Sequence, residues 1–318
     1  MVPVIAEGAA LVMKKVALVI VNWNGIEDTR RCLASVRAMR PDGNTLEIIV
    51  VDNGSTDNSV ACIAKEFPEV RLLALDTNLG FTGGNNAGIK YAMLNNADYV
   101  WLLNNDTLVD QRALSILGVF EDPNVGIAGS KIFFAAGHEY HKKRYSASQK
   151  GKVFWYAGGL VDWDNMYASH RGVDEVDKGQ YETVEQTTFV TGCSMMIRRN
   201  VIEKIGVLDD AYYLYLEDLD FCLRARNAGF LLMYYPRSIV WHVNAGSSGG
   251  AGNPLHDYYI TRNRLLVGFR FAPTRTKFAL IREAVRFLRG NNPEKKQAVT
   301  DFLTGRLGRQ YEPKKAIT

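Results

Sequence analysis

Cysteine is scarce in this chain of 318 residues, which has only four, and long apolar runs are absent. No cysteine spacing matches a metal-binding knuckle or a CxxC redox pair, so nothing indicates an oxidising compartment. No run approaches the roughly 20 apolar residues of a membrane-spanning helix. The first residues lack the basic segment of a signal peptide, and Met13, followed by two lysines, could be the natural start. These absences predict a cytoplasmic protein.

Two common nucleotide-binding loops are also missing. No GxGxxG follows the first predicted strand, and no GxxxxGKS/T occurs, which excludes the usual dinucleotide fingerprint and a P-loop enzyme. A nucleotidyltransferase would need a lysine-rich or glycine-rich phosphate loop after that strand, and the sequence there, NWNG, is neither. No nucleic-acid partner is expected.

Charge is unevenly distributed along the chain, although the net charge is only +4. From Arg262 to the end, 14 Lys and Arg face 4 Asp and Glu, whereas the preceding residues carry a net charge of −6. A basic tail on a mildly acidic body indicates an anionic surface near the tail. The alternative is a helical tail that is simply solvated.

The first half of the sequence alternates strands with helices. The predicted strands cover residues 16–21, 46–51, 70–75 and 99–103. The predicted helices cover residues 27–39 and 110–120, and a further helix runs from the caps Ser55 and Asp57 to residue 67. A glycine-rich loop at 80–84 is predicted to open a helix that ends at residue 95. This alternation predicts an α/β fold with a Rossmann-like, mostly parallel central sheet and flanking helices.

The second half is less regular. Residues 133–186 are polar and aromatic with little periodicity, which is typical of substrate-facing loops. The elements predicted after them are a strand at 188–198, helices at 201–205 and 216–228, short strands up to His242, and a flexible glycine-rich loop at 246–252. From residue 256 a helical extension is predicted, with breaks at Pro273 and Pro293.

Polar residues follow all four early strands. The segments at these ends read NWNG from Asn22, DNGS from Asp52, DTNLG from Asp76 and NND from Asn104. Ligands of parallel sheets bind beyond the carboxyl ends of the strands, so four such segments predict one binding edge rather than four unrelated turns. Amide and carboxylate groups suit a nucleobase, ribose hydroxyls and a metal-bridged diphosphate.

Seven segments occur together in one order: VIVNWNG, VVDNGSTD, NLGFTGGNNAGI, WLLNNDT, TGCSMMIRR, YLEDLDFCLRARNAGF and RNR. Between residues 16 and 266 they resemble the motifs of inverting glycosyltransferases of family 2, which have the GT-A fold, and most closely the rhamnosyltransferase-like branch. The resemblance implies transfer of a sugar from a nucleotide diphosphate to a hydroxyl of a glycan or lipid-linked acceptor in bacterial cell-surface polysaccharide synthesis. The donor that the resemblance favours is dTDP-L-rhamnose, and UDP-sugars, GDP-sugars and other dTDP-deoxysugars are the alternative donors.

The resemblance also implies a division of the chain. An N-terminal extension (1–13) precedes a GT-A catalytic domain (14–255), and a basic helical region (256–318) follows it. Within the catalytic domain, residues 14–132 form the nucleotide-binding half and residues 133–255 the acceptor-side half. A catalytically silent sugar-nucleotide or glycan binder is the alternative function.

Donor-binding residues follow from the matched motifs. Asp52 would contact the base, and Asn22 and Asn24 would line the base pocket. Four further residues would pack near the nucleoside: Asn78, Gly80, Gly84 and Asn85. The glycines among them are expected to let the backbone approach the ligand closely.

The NND segment stands where the family has its DxD motif, so Asn104, Asn105 and Asp106 are assigned to the donor. Asp106 would ligate a divalent cation, Mg²⁺ or Mn²⁺, that bridges the diphosphate. His242 matches a position that supplies another ligand in some relatives. Asn104 departs from the motif, and an amide is a weaker ligand than a carboxylate for a hard cation.

The predicted helix at 216–228 carries three carboxylates. Glu217, Asp220 and Arg224 share one face and are expected to form a charged surface stripe. Asp218 lies on a more apolar face, where burial raises the pKa of a carboxyl group. The resemblance agrees in making Asp218 the general base, with Glu217 beside it in the catalytic set. The alternative is that these carboxylates only stabilise the helix N-terminus.

Five residues are expected to frame the sugar and the acceptor: Trp155, Gly158, Gly159, Thr191 and Gly192. Aromatic faces stack on sugar rings and glycines leave space, although core packing is the alternative for the aromatic residue.

The tail contains an amphipathic pattern between residues 277 and 289. Its apolar arc comprises Phe278, Ile281, Val285 and Leu288, extended by Leu280, Ala284 and Phe287. On the other side lie Arg282, Arg286 and Arg289. The pattern predicts docking on the anionic inner face of the plasma membrane. The alternative is that the arc packs on the catalytic domain or forms a homodimer through the C-terminal helices.

Overall fold

The structure, a computed structural model, describes residues 13–243 and 252–312. Most of the glycine-rich loop predicted at 246–252 lies outside the described residues, as do the first twelve residues of the predicted N-terminal extension.

The strands, in chain order, are β1 (Lys15–Asn22), β2 (Thr45–Asp52), β3 (Arg71–Ala74), β4 (Tyr99–Asn104), β5 (Thr107–Val109), β6 (Val125–Phe134), β7 (Phe154–Tyr156), β8 (Gly159–Asp162), β9 (Tyr167–His170), β10 (Glu185–Gln186), β11 (Ser194–Arg198) and β12 (Leu231–His242). The α-helices are α1 (Ile26–Arg37), α2 (Ser59–Glu66), α3 (Gly80–Leu94), α4 (Arg199–Ile205), α5 (Glu217–Asn227), α6 (Pro254–Phe271), α7 (Thr274–Arg289) and α8 (Pro293–Leu303). A 3-10 helix covers Ala113–Glu121.

The main sheet has the order β10-β12-β6-β11-β4-β1-β2-β3. β3, β2, β1, β4, β6 and β12 run in one direction, and β11 is inserted antiparallel between β4 and β6. The predicted α/β fold with a mostly parallel central sheet and flanking helices is therefore confirmed. β8 and β9 form a separate hairpin.

The continuous apolar run of β1 is explained by burial on both of its faces. Ala17 and Val19 face one hydrophobic core, whereas Val16, Leu18 and Ile20 face the other. All five side chains are fully buried. A strand covered by helices on both sides needs no polar face, so its sequence shows no alternation.

Four elements differ from the sequence prediction. The predicted helix at 110–120 is wrong in part, because the chain forms a 3-10 helix there that begins only at Ala113. The predicted strand at 188–198 begins only at Ser194, and the short strands expected before His242 are one long strand, β12, with register shifts. Strand β6 was not predicted, since Gly126, Gly129 and Ser130 interrupt its apolar pattern although all ten residues are buried.

The C-terminal helical extension is confirmed as α6, α7 and α8, with breaks at the two predicted prolines. α6 packs on α5, α7 and α8. No described helix has the length and apolar character that crossing a membrane would require.

Candidate active site

A cleft of about 500 Å³ opens at the edge of the sheet where the parallel strands have their carboxyl ends. Nine of the residues singled out in the sequence line it: Asn104, Asn105, Asp106, Trp155, Thr191, Gly192, Glu217, Asp218 and His242. Because β11 is antiparallel, the segment that precedes it reaches the same edge as the ends of β4 and β12. The topology thus brings together residues from widely separated parts of the chain.

Asp106 and His242 meet because β5 pairs with the end of β12. His242 Nε2 lies 3.1 Å from Asp106 Oδ1, and both side chains are buried. Burial favours the neutral acid, but the electrostatic attraction and hydrogen bond of His242 outweigh it and lower the pKa of Asp106. A side-chain hydrogen bond from Asn104 acts in the same direction. This end of the cleft therefore presents a carboxylate.

The Asp106–His242 pair fits part of a divalent-cation site. Its oxygen and nitrogen are 3.1 Å apart, which is close to the separation of about 3 Å between neighbouring corners of an octahedron with metal–ligand bonds of about 2.1 Å. Within residues 13–243 and 252–312, no group of three or more His, Cys, Asp or Glu side chains could hold a metal ion. The pair would therefore need ligands from a substrate, as Mg²⁺ sites on phosphates commonly have.

Trp155 supports His242 from the side. The ring centroids of these two residues are 4.6 Å apart in an edge-on arrangement, and the indole also contacts His170 at 4.3 Å. His170 lines the cleft, and its Nδ1 lies 3.1 Å from the carbonyl oxygen of Trp155. Burial lowers the pKa of His170 to about 4, so this imidazole is neutral at physiological pH.

Asp218 is held at the start of α5 by two backbone amides. The N–H of Gly192 donates to Oδ2 at 3.0 Å, and the N–H of Leu219 donates to Oδ1 at 2.8 Å. Burial raises the pKa of Asp218, although these amides act in the opposite direction. Each oxygen keeps a second lone pair. The result is an oriented carboxylate with raised basicity that faces the cleft.

Glu217, the neighbour of Asp218, is only 5% exposed. Its Oε2 has no hydrogen-bond partner among the residues that the structure describes. Burial and the adjacent charge of Asp218 raise the pKa of Glu217 well above its ordinary value.

The segment that leads into α5 has an unusual backbone. Tyr213, Tyr215 and Leu216 have φ angles of 63°, 68° and 66°, in the left-handed region that side chains disfavour. Such conformations persist only where surrounding contacts impose them.

Two buried residues of α6 impose this conformation. Asn263 Nδ2 donates to the carbonyl oxygens of Tyr212, Leu214 and Tyr215 at 3.0, 2.8 and 2.8 Å. Arg262 Nη2 donates to the carbonyl oxygens of Ala211 and Tyr212 at 3.0 and 2.8 Å. Arg262 and Asn263 of the RNR segment thus hold the loop of residues 211–216 in place. These two residues are called the clamp below, and the loop is called the catalytic loop.

The charged surface stripe expected on α5 is wrong. Asp220 is fully buried and accepts hydrogen bonds from Tyr212 Oη, Arg224 Nε and Arg270 Nη1 at 3.1, 2.7 and 2.8 Å. Arg270 belongs to α6, so this network ties α5 to the C-terminal helices. Sequence spacing gave the shared face correctly but could not show that α6 covers it.

The ends of β1 and β2 form a second polar group beside the cleft. Asp52 accepts from Asn22 Nδ2 at 2.8 Å and from the N–H of Ser55 at 2.9 Å. Asn22 is fully buried behind this carboxylate, whereas Asn24 is exposed and its Oδ1 accepts from the N–H of Thr56 at 2.8 Å. Asn22 therefore orients Asp52 from behind.

The segment before α3 is organised by side-chain amides. Asn78 Oδ1 accepts from the N–H of Gly80 at 2.8 Å, and Asn85 Nδ2 donates to a carbonyl oxygen of the same helix. A Cβ at Gly80, where φ is +76°, would lie 2.4 Å from the Tyr213 ring, and one at Gly84 would lie 2.8 Å from a Val21 methyl. The protein itself occupies the space that these glycines leave, a role that the sequence did not reveal.

Gly158 and Gly159 lie apart from the cleft. They line a different cavity of about 400 Å³, together with Arg171 and Arg226. The structure therefore does not bring these two glycines together with Trp155, Thr191 and Gly192.

Several cleft residues had no signal in the sequence, among them His170, Phe189, His256 and Ile260. Phe81, Cys193 and Tyr215 also line the cleft, and all three stand in the matched motifs. His256 and Ile260 belong to α6, which shows that the C-terminal helices complete the cleft. The RNR segment was the only motif recognised within α6, and it was assigned no role from the sequence.

Comparison with known proteins identifies a family model and several relatives that match the chain. The model of the family described as "Glycosyl transferase family 2" matches residues 17–206. The chain is 24% identical over 212 residues to the low-salt glycan biosynthesis hexosyltransferase Agl10 of Haloferax volcanii, covering 66% of this chain and 61% of that protein. It is 27% identical over 219 residues to an N-acetylglucosaminyl-diphospho-decaprenol L-rhamnosyltransferase of Mycobacterium tuberculosis, covering 64% and 68%. The chain thus spans about three fifths of the first relative's length.

Solved structures share the fold. GalNAc-T7, solved with UDP, GalNAc and Mn²⁺, superposes with a TM-score of 0.67 at 16% identity, over 92% of this chain and 55% of that one. The mannosyltransferase PcManGT of Pyrobaculum calidifontis, solved with GDP-Man and Mn²⁺, gives 0.54 at 15% identity, over 95% and 78%. At these identities the likeness establishes the GT-A fold alone.

Proposed function

The chain belongs to glycosyltransferase family 2, and on that basis we propose that it transfers a sugar, with inversion, from a nucleotide diphosphate to a hydroxyl of a glycan or lipid-linked acceptor. The observation that carries this proposal is the single cleft that holds both the buried Asp106–His242 pair and the oriented carboxylate of Asp218. The expected process is bacterial cell-surface polysaccharide synthesis.

The leading donor is dTDP-L-rhamnose, supported by the rhamnosyltransferase among the relatives at 27% identity. Other dTDP-deoxysugars, UDP-sugars and GDP-sugars compete with it. A thermal-shift screen against nucleotide sugars identifies the donor, because a ligand that binds the folded state raises the melting temperature.

Asp218 is the general base of the proposed reaction. As the acceptor oxygen attacks the anomeric carbon, the hydroxyl proton moves to a carboxylate oxygen of Asp218, and the bond from the anomeric carbon to the diphosphate breaks. The amides of Gly192 and Leu219 keep the carboxylate oriented. Its raised pKa suits proton abstraction.

Asp106 and His242 would hold a divalent cation, Mg²⁺ or Mn²⁺, at the other side of the reacting bond. When bound, such a cation neutralises the charge that develops on the leaving diphosphate. Asp52, oriented by Asn22, would bind the base, and Asn24, Asn78 and Asn105 complete the proposed donor side.

A catalytically silent sugar-nucleotide binder is the second candidate, and Asn104 is the observation that favours it. The amide of Asn104 stands where the family has a carboxylate, and it hydrogen-bonds Asp106. Donor hydrolysis with and without Mn²⁺ separates the two candidates.

Membrane docking is a further part of the proposal, and α7 supports it. Leu280 and Ala284 are buried and Phe287 packs on the core, so half of the predicted apolar arc faces the protein. The other half is exposed, with Phe278 at 64%. It comprises Phe278, Ile281, Val285 and Leu288.

Arginines border this exposed half of α7. At 100° per residue, Arg282, Arg286 and Arg289 lie next to Phe278, and all three are exposed. Thr276 of α7 donates to the carbonyl oxygen of Trp163, between β8 and β9. Because β9 lines the cleft with His170, a membrane that contacts α7 lies near the acceptor side.

We predict that Asp218→Asn lowers turnover at least about a hundredfold, since a general base contributes 10²–10⁴-fold. Nucleotide-sugar binding stays within about threefold of wild type, because the change keeps the size of the side chain. In the wild type, activity falls as the pH drops through a pKa above the ordinary aspartate value of about 3.9, because protonated Asp218 cannot accept a proton. Turnover above a tenth of wild type in the variant would show that another group is the base.

Asp106→Ala is expected to reproduce the effect of EDTA on the wild-type protein. Both treatments remove the cation that neutralises the leaving group, so donor hydrolysis falls and Mn²⁺ restores it only in the wild type. The matched control is Asp110→Ala, which changes a carboxylate just beyond β5 and outside the cleft. Full activity in EDTA would contradict a role for a metal.

Charge reversal on α7 tests docking. The triple variant Arg282→Glu, Arg286→Glu, Arg289→Glu is expected to weaken binding to anionic vesicles about a hundredfold, since each basic residue contributes about 1 kcal/mol. Vesicle sedimentation measures this, and binding weakens with salt. Lys142→Glu, Lys143→Glu, Arg144→Glu makes the same charge change on another exposed segment and leaves binding nearly unchanged.

Two outcomes contradict docking through α7. One is equal loss of vesicle binding in both triple variants. The other is a wild-type dimer that binds no vesicles and dissociates on Phe278→Asp, which would make the exposed half of α7 a subunit interface.

A further inference from the structure

One end of the cleft is built by the catalytic loop and α6 together. Tyr215 and Glu217 come from the loop and the start of α5, and His256 comes from the first turn of α6. The ring centroids of Tyr215 and His256 are 5.3 Å apart. The mechanism proposed above uses neither His256 nor the free oxygen of Glu217.

Two polar atoms at this end are buried without a hydrogen bond. Among the described residues, neither Glu217 Oε2 nor His256 Nδ1 has a hydrogen-bond partner. The nearest carboxylate oxygen recorded for His256 Nδ1 belongs to Asp257, at 3.8 Å, which is too long for a hydrogen bond. Buried polar groups nearly always have a partner, so such atoms facing a cleft indicate a polar ligand.

The same helix fixes the geometry of both groups. Asn263 and Arg262 hold the catalytic loop in its left-handed conformation, and α6 itself carries His256. Backbone strain retained beside polar atoms that lack partners is typical of a preorganised binding site.

We propose that Glu217 and His256 form a subsite that binds two hydroxyl groups of a sugar ring, beside the base Asp218. A carboxyl group and an imidazole each exchange one hydrogen bond with a hydroxyl, and the Tyr215 ring offers an apolar face to the C–H groups of the sugar. This inference rests on the proposed function. The ring belongs to the donor or to the acceptor, and the experiment distinguishes them.

The test uses Glu217→Leu and His256→Phe in the full chain. Each removes a buried polar atom that lacks a partner, so the ligand-free melting temperature stays equal or rises. Binding of the sugar falls about tenfold. Glu203→Leu and His138→Phe, at exposed positions, are the matched controls and change neither quantity.

Calorimetric titration compares dTDP-L-rhamnose, or the donor that the screen identifies, with its nucleoside diphosphate. If the subsite holds the donor sugar, both variants bind the nucleotide sugar more weakly than the wild type does, and their affinity for the nucleoside diphosphate is unchanged. If it holds the acceptor, donor affinity is unchanged and the acceptor KM rises about tenfold in both variants, and kcat of His256→Phe stays within threefold of wild type. His256→Asn, which retains a polar atom near Nδ1, recovers part of the loss in either case.

The subsite is overturned if both variants keep donor affinity and acceptor KM within twofold of wild type. It is also overturned if the loss of affinity only follows a loss of thermal stability. A wild-type protein that binds neither nucleotide sugars nor nucleoside diphosphates would instead refute the proposed function, and the subsite with it.

Discussion

The side-chain amide of Asn263 is the contact on which the geometry of the cleft depends. It donates to three carbonyl oxygens of the catalytic loop, while Arg262 donates to two. Without these donors, the carbonyl groups of Leu214 and Tyr215 would lose a hydrogen bond, and the left-handed residues before α5 would relax. Because α5 starts directly after this loop, the clamp decides where Asp218 lies. The C-terminal helices are therefore part of the candidate active site.

The sheet supplies the opposite wall of the cleft by a different device. Two strands connect the second half of the chain to the edge formed by β1, β2 and β4. The antiparallel strand β11 lies between β4 and β6, and the short strand β5 pairs with the end of β12. This places the Asp106–His242 pair on rigid strand ends. One wall is thus fixed by backbone pairing and the other by side-chain hydrogen bonds from α6.

The sequence was most informative where local patterns decide the structure. The apolar run of β1 predicted a strand that is buried on two faces, and the polar strand ends predicted a binding edge of the sheet. Each of these patterns lies within a short stretch of the sequence. Strand β6 was not predicted, because its small residues interrupt the apolar pattern. The surface stripe on α5 was wrong because α6, some 50 residues away, covers Asp220.

The site residues also fall into two groups: those that lie in local sequence motifs and those that only the fold brings to the cleft. Asp106 and Asp218 stand in recognisable motifs, whereas His170 and His256 are isolated in sequence and reach the cleft only through the hairpin and α6. The glycines at 80 and 84 were assigned to ligand approach, but their space is taken by Tyr213 and Val21. Spacing shows which residues share a face and leaves open what covers that face.

The most direct test of this account is the turnover number of Asn263→Asp. Aspartate retains the oxygen that accepts from Arg262 Nε at 2.9 Å, but it replaces the donor to the three carbonyl groups by a second carboxylate oxygen, which repels them. The account predicts that kcat for donor hydrolysis falls at least about a hundredfold, as for loss of the base. The thermal shift caused by the nucleoside diphosphate, whose proposed site is at the strand ends, persists. A kcat within threefold of wild type would show that the clamp stabilises the fold without positioning Asp218.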